Sequence, residues 1–321
     1  MLNDIVKRQI VMEENFQESM EILVEPFVKQ VEMNGCFTNS YGHIVNYYSY
    51  INEEAHANIV ISHGFCEFVD KYYELIYILY NMGYSIYMLE HIGHGYSERL
   101  IEDLDKVHIE DFNEYVESLK EFTENIVIND MPKYLYSHSM GGAIAAMTVE
   151  KYPKLFDKLI LSSPMLGING RKYPDWLPKV ISCVVSKTQR KQKYNKGQHG
   201  FDDEYVFNSS SCLSEARYKY VFNKRKENKY YRTYGGTYKW LNESYKGINY
   251  IFKTKNIANI DIPILLFKAE EDTMVRNKSI DEFVEKSNCE LVNILGTKHE
   301  IFNGSKKARF SFYEEIDKFF Q

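Results

Sequence analysis

Residues 134–144, YLYSHSMGGAI, carry an apolar run into Ser137, His138 and Ser139, then continue through Gly141 and Gly142 into small residues. If 133–138 is a strand and 140–151 a helix, Ser139 occupies the sharp turn between them, which lifts a hydroxyl above the end of a sheet. Strand and helix approach closely at such a turn, so the residues two before and two after must be small. Here they are Ser137 and Gly141. The usual spacing is G-x-S-x-G, and Ser137 stands where its first glycine is expected. A phosphate loop is the first competing reading, but it needs a lysine after its glycines and none follows Gly142. The other is a serine- and glycine-rich turn without chemistry, which this stretch alone leaves open.

A serine hydroxyl is a weak nucleophile at its ordinary pKa and needs a histidine base oriented by an acid. On sheets of this kind the chain order is Ser, then Asp or Glu, then His, the last two on loops after late strands. After PILLFK (263–268) comes an acidic loop with Asp272, and after ELVNIL (290–295) comes GTKHEIF with His299. Glu270 and Glu271 are close rivals of Asp272. An oxyanion needs two backbone donors; the amide of Met140, after the serine, supplies one. Phe65, in the early segment NIVISHGFCEF (58–68), supplies the other, with Gly64 permitting a tight backbone. Cys66 has no evident base beside it and reads as packing. HEIFN (299–303) begins like a zinc-binding H-E-x-x-H helix, but Asn303 replaces the second ligand, and His91 and His94 lack convincing partners. No metal and no cofactor are expected.

Those residues need elements to hold them. NIVISH (58–63), YSIYML (84–89), KYLYSH (133–138), KLILSS (158–163), PILLFK and ELVNIL have the length of buried strands. Between them, Ile109, Phe112, Val116, Leu119, Phe122 and Ile126 recur at helical spacing, as do Phe312, Ile316 and Phe319 in a helix over 305–320. Strands separated by helices imply parallel pairing through crossovers: an α/β fold with a mostly parallel sheet covered on both faces. The alternation breaks between 165 and 255, which reads as an inserted cap within a single domain over 1–321.

With 321 residues and 44% hydrophobic content the chain can fill a substantial core, and its formal net charge of −6 speaks against generic nucleic-acid binding. The N-terminal MLNDIVKRQIVMEEN, where a helix is expected to begin, is charged throughout, unlike a secretory signal, and no run is long enough to span a membrane. A soluble, cytoplasmic protein is expected. Cys36, Cys66, Cys183, Cys212 and Cys289 are scattered, without a C-x-x-C pair, and are expected to be free thiols.

Seven stretches in register, HGFCE (63–67), EHIGHGYSE (90–98), SHSMGGAIA (137–145), SSPMLGI (162–168), GGTYKWL (235–241), EEDTMV (270–275) and HEIFN (299–303), resemble the α/β-hydrolase family, in particular its bacterial lysophospholipase and monoacylglycerol lipase branch. The resemblance implies an α/β-hydrolase fold with Ser139 as nucleophile, Asp272 as orienting acid, His299 as base, and Phe65 and Met140 as oxyanion donors. It also implies a cap that shapes acyl-chain binding. Two departures stand out: Ser137, and Lys268 where a glycine commonly precedes the acid loop.

The expected function is therefore cleavage of lipid carboxylic esters through an acyl-enzyme, with lysophospholipids or monoacylglycerols favoured. General carboxylesterase, prolyl-aminopeptidase-like and non-catalytic ligand-binding readings remain as alternatives. Within the cap, residues 171–200 carry eight Lys or Arg against one acid, Asp175. Trp176, Leu177, Val180, Ile181, Val184 and Val185 could form an apolar helical face there. A basic amphipathic segment suits a membrane surface or a lysolipid phosphate, although a packed helix with solvated lysines would look the same.

Overall fold

A computed structural model describes residues 10–170, 173–174 and 176–321. Arg171, Lys172 and Asp175 of the basic segment, and the first nine residues of the charged N-terminal stretch, lie outside the described residues. The strands are β1 (Glu32–Thr38), β2 (Ile44–Tyr50), β3 (Ala57–Ser62), β4 (Tyr84–Leu89), β5 (Lys106–Val107), β6 (Lys133–His138), β7 (Lys158–Ser162), β8 (Gly235–Gly236), β9 (Ile264–Ala269) and β10 (Cys289–Ile294). The helices are α1 (Phe16–Ser19), α2 (Glu25–Val31), α3 (Tyr73–Asn81), α4 (Asn113–Asn125), α5 (Met140–Lys151), α6 (Trp176–Val185), α7 (Glu215–Glu227), α8 (Tyr238–Ile251), α9 (Thr254–Ile257), α10 (Asn277–Lys286) and α11 (Lys306–Phe320). A π-helical turn, Met20–Val24, joins α1 to α2.

Eight strands form one sheet in the order β1-β2-β4-β3-β6-β7-β9-β10. The pairings β1–β2 and β2–β4 are antiparallel and the others parallel, giving the mixed, mostly parallel sheet of an α/β-hydrolase. Every residue of β3 and β4 is buried, as strands covered on both faces must be. Side chains alternate between the faces. Ile59 and Ile61 join α3 and α11 in one core cluster, while Val60, Leu135 and Leu159 join α4, α5, α8 and α10 in the other. In α4 the apolar stripe is buried through Phe122, and Ile126 caps its C-terminus.

Sequence reasoning missed β1 and β2. They form an edge hairpin through a turn where Gly42 takes φ of +84°. Packed mainly from one side, β1 carries polar residues and lacks the apolar run that marks a buried strand. The chain leaves the sheet after β7 and rejoins it at β9. Of the intervening elements, α8 packs against α5, and its Trp240, Leu241, Ile248 and Ile251 belong to the core beneath. Helix α6 packs in turn on α8. Helix α7 is anchored by Arg217, which pairs with buried Glu74, itself also paired with Arg309 of α11.

Glu150 of α5 is an exception to such pairing. It is 2% exposed, and neither carboxyl oxygen has a hydrogen-bond partner among the described residues. Burial raises its pKa from 4.5 to about 9, so the folded chain holds this proton more tightly than the unfolded chain does. Stability associated with the group is complete below about pH 4.5 and is lost as pH rises toward 9. Glu150→Gln should melt higher than wild type at pH 8, by at least about 2 °C, and indistinguishably at pH 4.5. Melting curves at the two pH values check this, and a difference independent of pH refutes it.

Candidate active site

Ser139 lies between β6 and α5 with φ of +53° and ψ of −118°, a conformation that a non-glycine residue adopts only when its surroundings enforce it. Its amide donates to Ser162 O at 3.1 Å, and its carbonyl accepts from Gly142 N at 2.9 Å and Met165 N at 2.8 Å. A Cβ on Gly141 would fall 2.0 Å from the backbone oxygen of Ser62, so α5 can approach β3 only with glycine there. Ser137 fills the other small position and donates its buried hydroxyl to Ile160 O at 2.8 Å on the neighbouring strand. That bond explains how serine is accommodated in place of glycine.

Three side chains converge from separate elements. Ser139 Oγ is 2.8 Å from Nε2 of His299, and Nδ1 of His299 is 2.7 Å from Oδ2 of Asp272. Asp272 follows β9 and His299 follows β10, so adjacent strand ends present the pair. The other oxygen of Asp272 accepts from Met274 N at 2.8 Å and Val275 N at 3.1 Å. Burial works against charge on Asp272, but the hydrogen bond and charge of His299 and these two amides hold its carboxyl below the usual range. An ionised Asp272 accepts a hydrogen bond from Nδ1–H, which keeps the proton on Nδ1 and leaves Nε2 free to accept the Ser139 proton. Glu270 is turned to Gly296 N and Glu271 is exposed, so neither rival reaches His299. Lys268, the second departure, sends its side chain to Asp281 of α10.

The loop after β3 is fixed from several directions. His63 Nε2 accepts from His91 N at 2.9 Å, which leaves the proton on Nδ1 to donate to Gly64 O at 2.7 Å. That bond orients the peptide whose N–H belongs to Phe65. Burial lowers the His63 pKa to about 4, keeping the ring neutral. Gly64 N donates to Glu67 at 2.6 Å. The Phe65 ring packs at a tilt of 30° on Trp240 of α8, with centroids 4.1 Å apart. Met140 opens α5, where first-turn amides lack intrahelical acceptors and the helix dipole favours developing negative charge. Cys66 is buried among these groups, and burial raises its thiol pKa.

His91 and His94 pack against His63 at centroid distances of 4.6 and 5.1 Å. Among the described residues no cluster of His, Cys, Asp and Glu has the arrangement of a metal site.

Sequence reasoning did not find the buried ionic group behind the site. Lys71 lies 2.6 Å from Glu67 and 2.9 Å from Glu300. Burial would raise the Glu300 pKa, but Lys71 holds it down to about 2. His138 sits between this group and His299, 3.6 Å from Glu67 and 4.9 Å from His299 between ring centroids. The signal available was the i,i+4 spacing of Glu67 and Lys71 beside the glycine turn.

The profile of the family described as "Serine aminopeptidase, S33" matches residues 53–306. The chain is 26% identical over 266 residues to a probable lysophospholipase L2 of Haemophilus influenzae, covering 81% of this chain and 82% of that one. It is 29% identical over 262 residues to lysophospholipase L2 of Escherichia coli strain K12, covering 80% and 74%. Among solved structures, a monoacylglycerol lipase of Paleococcus ferrophilus superposes with a TM-score of 0.67 at 17% identity, covering 86% of this chain and 97% of that one. That last likeness concerns the fold.

The geometry has a direct consequence. Ser139→Ala should abolish labelling by a fluorophosphonate probe, and Asp272→Asn should slow it by about three orders of magnitude or more while the fold persists. Gel fluorescence with a circular dichroism control measures both; labelling undiminished in folded Ser139→Ala overturns the expectation.

Proposed function

The chain belongs to the serine aminopeptidase S33 family of α/β-hydrolases, and from that premise we propose that it is a lysophospholipase acting through an acyl-enzyme on Ser139. The carrying observation is the hydrogen-bonded chain from Ser139 through His299 to Asp272. In this reading His299 Nε2 takes the Ser139 proton as Oγ attacks the acyl carbonyl carbon. The tetrahedral oxyanion is received by the amides of Phe65 and Met140. Collapse breaks the ester bond, and His299 returns the proton to the departing glycerol oxygen. Water, deprotonated by the same histidine, then releases the fatty acid and restores Ser139. Asp272 keeps the imidazole in the required tautomer throughout.

Similarity to two lysophospholipases over four-fifths of the chain supports that substrate class. A monoacylglycerol lipase is the second reading, favoured by 33% identity over 131 residues, 40% of this chain, to a monoglyceride lipase of Homo sapiens. The family's description also names an aminopeptidase, so an amide substrate belongs in the test.

Contact with a lipid surface is part of the same proposal. Trp176, Val180 and Val184, four residues apart along α6, are 63%, 50% and 60% exposed, while the opposite side of the helix packs on α8. Leu177, Ile181 and Val185 are only partly exposed, so the outward stripe is narrower than the six-residue face expected from sequence. Lys179, Lys187 and Arg190 flank it. No helix among the described residues is long and apolar enough to cross a membrane.

Two measurements test these statements. Wild type should release fatty acid from a lysophospholipid faster than from a monoacylglycerol of the same acyl chain, leave alanine p-nitroanilide intact, and lose ester cleavage in Ser139→Ala. Faster amide than ester cleavage would sink the lipid-esterase reading. Sedimentation with anionic vesicles should fall at least about fivefold in Trp176→Asp/Val180→Asp, from the loss of buried apolar area. Binding indifferent to that substitution or to lipid charge counts against the surface contact.

A further inference from the structure

Two arginines lie beside the loop that carries Phe65, and neither has a carboxylate at ion-pair distance among the described residues. Arg225, in the last turn of α7, donates from Nη2 to Cys66 O at 2.7 Å. Arg99, in the loop after β4, donates to Ser97 O at 3.1 Å and Tyr230 O at 3.0 Å. In both, Nε is buried with no acceptor among the described residues. Both guanidinium charges act on buried Cys66, the residue after Phe65. Burial lowers the Arg99 pKa to about 10, with Glu90 opposing that shift from beyond ion-pair distance.

The contrast with the other cations of α7 is informative. Arg217 pairs with Glu74 and Glu13, and Lys224 pairs with Glu25 and Asp70. The C-terminal end of a helix favours cations, which accounts for a solvated Lys226. It does not account for a guanidinium turned inward onto Cys66 O with buried N–H capacity unused. Arg225 also lies over the rings of Phe68 and Tyr234, 5.8 and 5.4 Å from their centroids, and Glu90 is the acid that acts on Arg99. Neither guanidinium has a carboxylate bonded to it among the described residues, and the forked donors of each match phosphate oxygens.

We propose that Arg99 and Arg225 form a subsite for the phosphate of the substrate's headgroup, next to the oxyanion loop. This rests on the lysophospholipase reading and deepens it. The phosphate of a lysophospholipid lies one glycerol unit from the scissile ester, and Cys66 is one residue from Phe65. A neutral monoacylglycerol offers these arginines nothing to bind.

The test compares lysophosphatidylethanolamine with monoacylglycerol of the same acyl chain in wild type, Arg99→Gln and Arg99→Lys, with a thermal melt for each protein. In Arg99→Gln the ratio of kcat/KM for the phospholipid to that for the glyceride should fall about tenfold, mainly through KM, while Arg99→Lys keeps part of it. Arg225→Gln should lower the ratio and also slow the glyceride, since Cys66 O loses its donor. In wild type, glycerol 3-phosphate should inhibit competitively and glycerol should not, a readout that needs no variant to fold. Equal loss on both substrates, or an unmoved ratio, overturns the subsite. So does inhibition by inorganic phosphate that Arg99→Gln relieves without moving the ratio, because it marks a site for free phosphate. A wild type that cleaves the glyceride and no lysophospholipid refutes the lysophospholipase reading itself. Cleavage of the lysophospholipid with an unmoved ratio refutes the subsite alone.

Discussion

The site depends on how closely α5 can approach the end of β3. With Gly141 within a missing Cβ of Ser62 O, the helix starts hard against the sheet, and the connecting residue is forced to positive φ. Strain of this kind costs of order 1–3 kcal/mol and persists only when neighbours over-determine it. Here they include the amide and carbonyl bonds of Ser139 to the segment 162–165. The same approach sets the start of α5 against Ser62 and His63, the residues that lead into the loop carrying Phe65. One steric fact thus sets both the exposure of the hydroxyl and the location of its candidate oxyanion donors.

Charge behind the site is arranged by a second constraint, that ions removed from water need partners. Glu67, Lys71 and Glu300 form a buried group in which two carboxylates share one ammonium. Glu67 also holds Gly64 N, and Glu300 also receives the Ser211 hydroxyl, so the group ties the Phe65 loop, the His299 loop and the segment between β7 and β9 together. Burial lowers the His138 pKa to about 4, which keeps a neutral ring between these acids and His299. A charged ring there would oppose the positive charge that His299 gains when it accepts a proton.

Much of this was legible in the sequence because the parallel strands are buried on both faces and appear as short apolar runs. Six such runs located β3, β4, β6, β7, β9 and β10 to within a residue. The order of Ser139, Asp272 and His299 then followed from where those runs end. Less visible was anything whose partner is distant in sequence. The β1–β2 hairpin lacks the apolar signature because its outer strand packs from one side, and Lys71 reveals its role only when Glu300 is folded against it. In the basic segment, composition gave the charge but not the direction of each side chain: Lys191 pairs with Glu110, whereas Trp176 points outward.

Helix α7 shows how the segment between β7 and β9 and the core constrain one another. Its start is fixed by Arg217 to Glu74 of α3 and Glu13 of the N-terminal segment, which lies ahead of the family-matched residues. Toward its end, Lys224 reaches Glu25 of α2 and Arg225 reaches Cys66 O. Just before it, Ser214 N donates to Asn303 O in the loop that follows His299. Just after it, Tyr231 stacks on Phe68 with ring planes 6° from parallel, and its hydroxyl donates to Asp70. A displacement of α7 would therefore pull on the Phe65 loop and the His299 loop together. These contacts give Glu13 and Glu25 a mechanical connection to the site through α7.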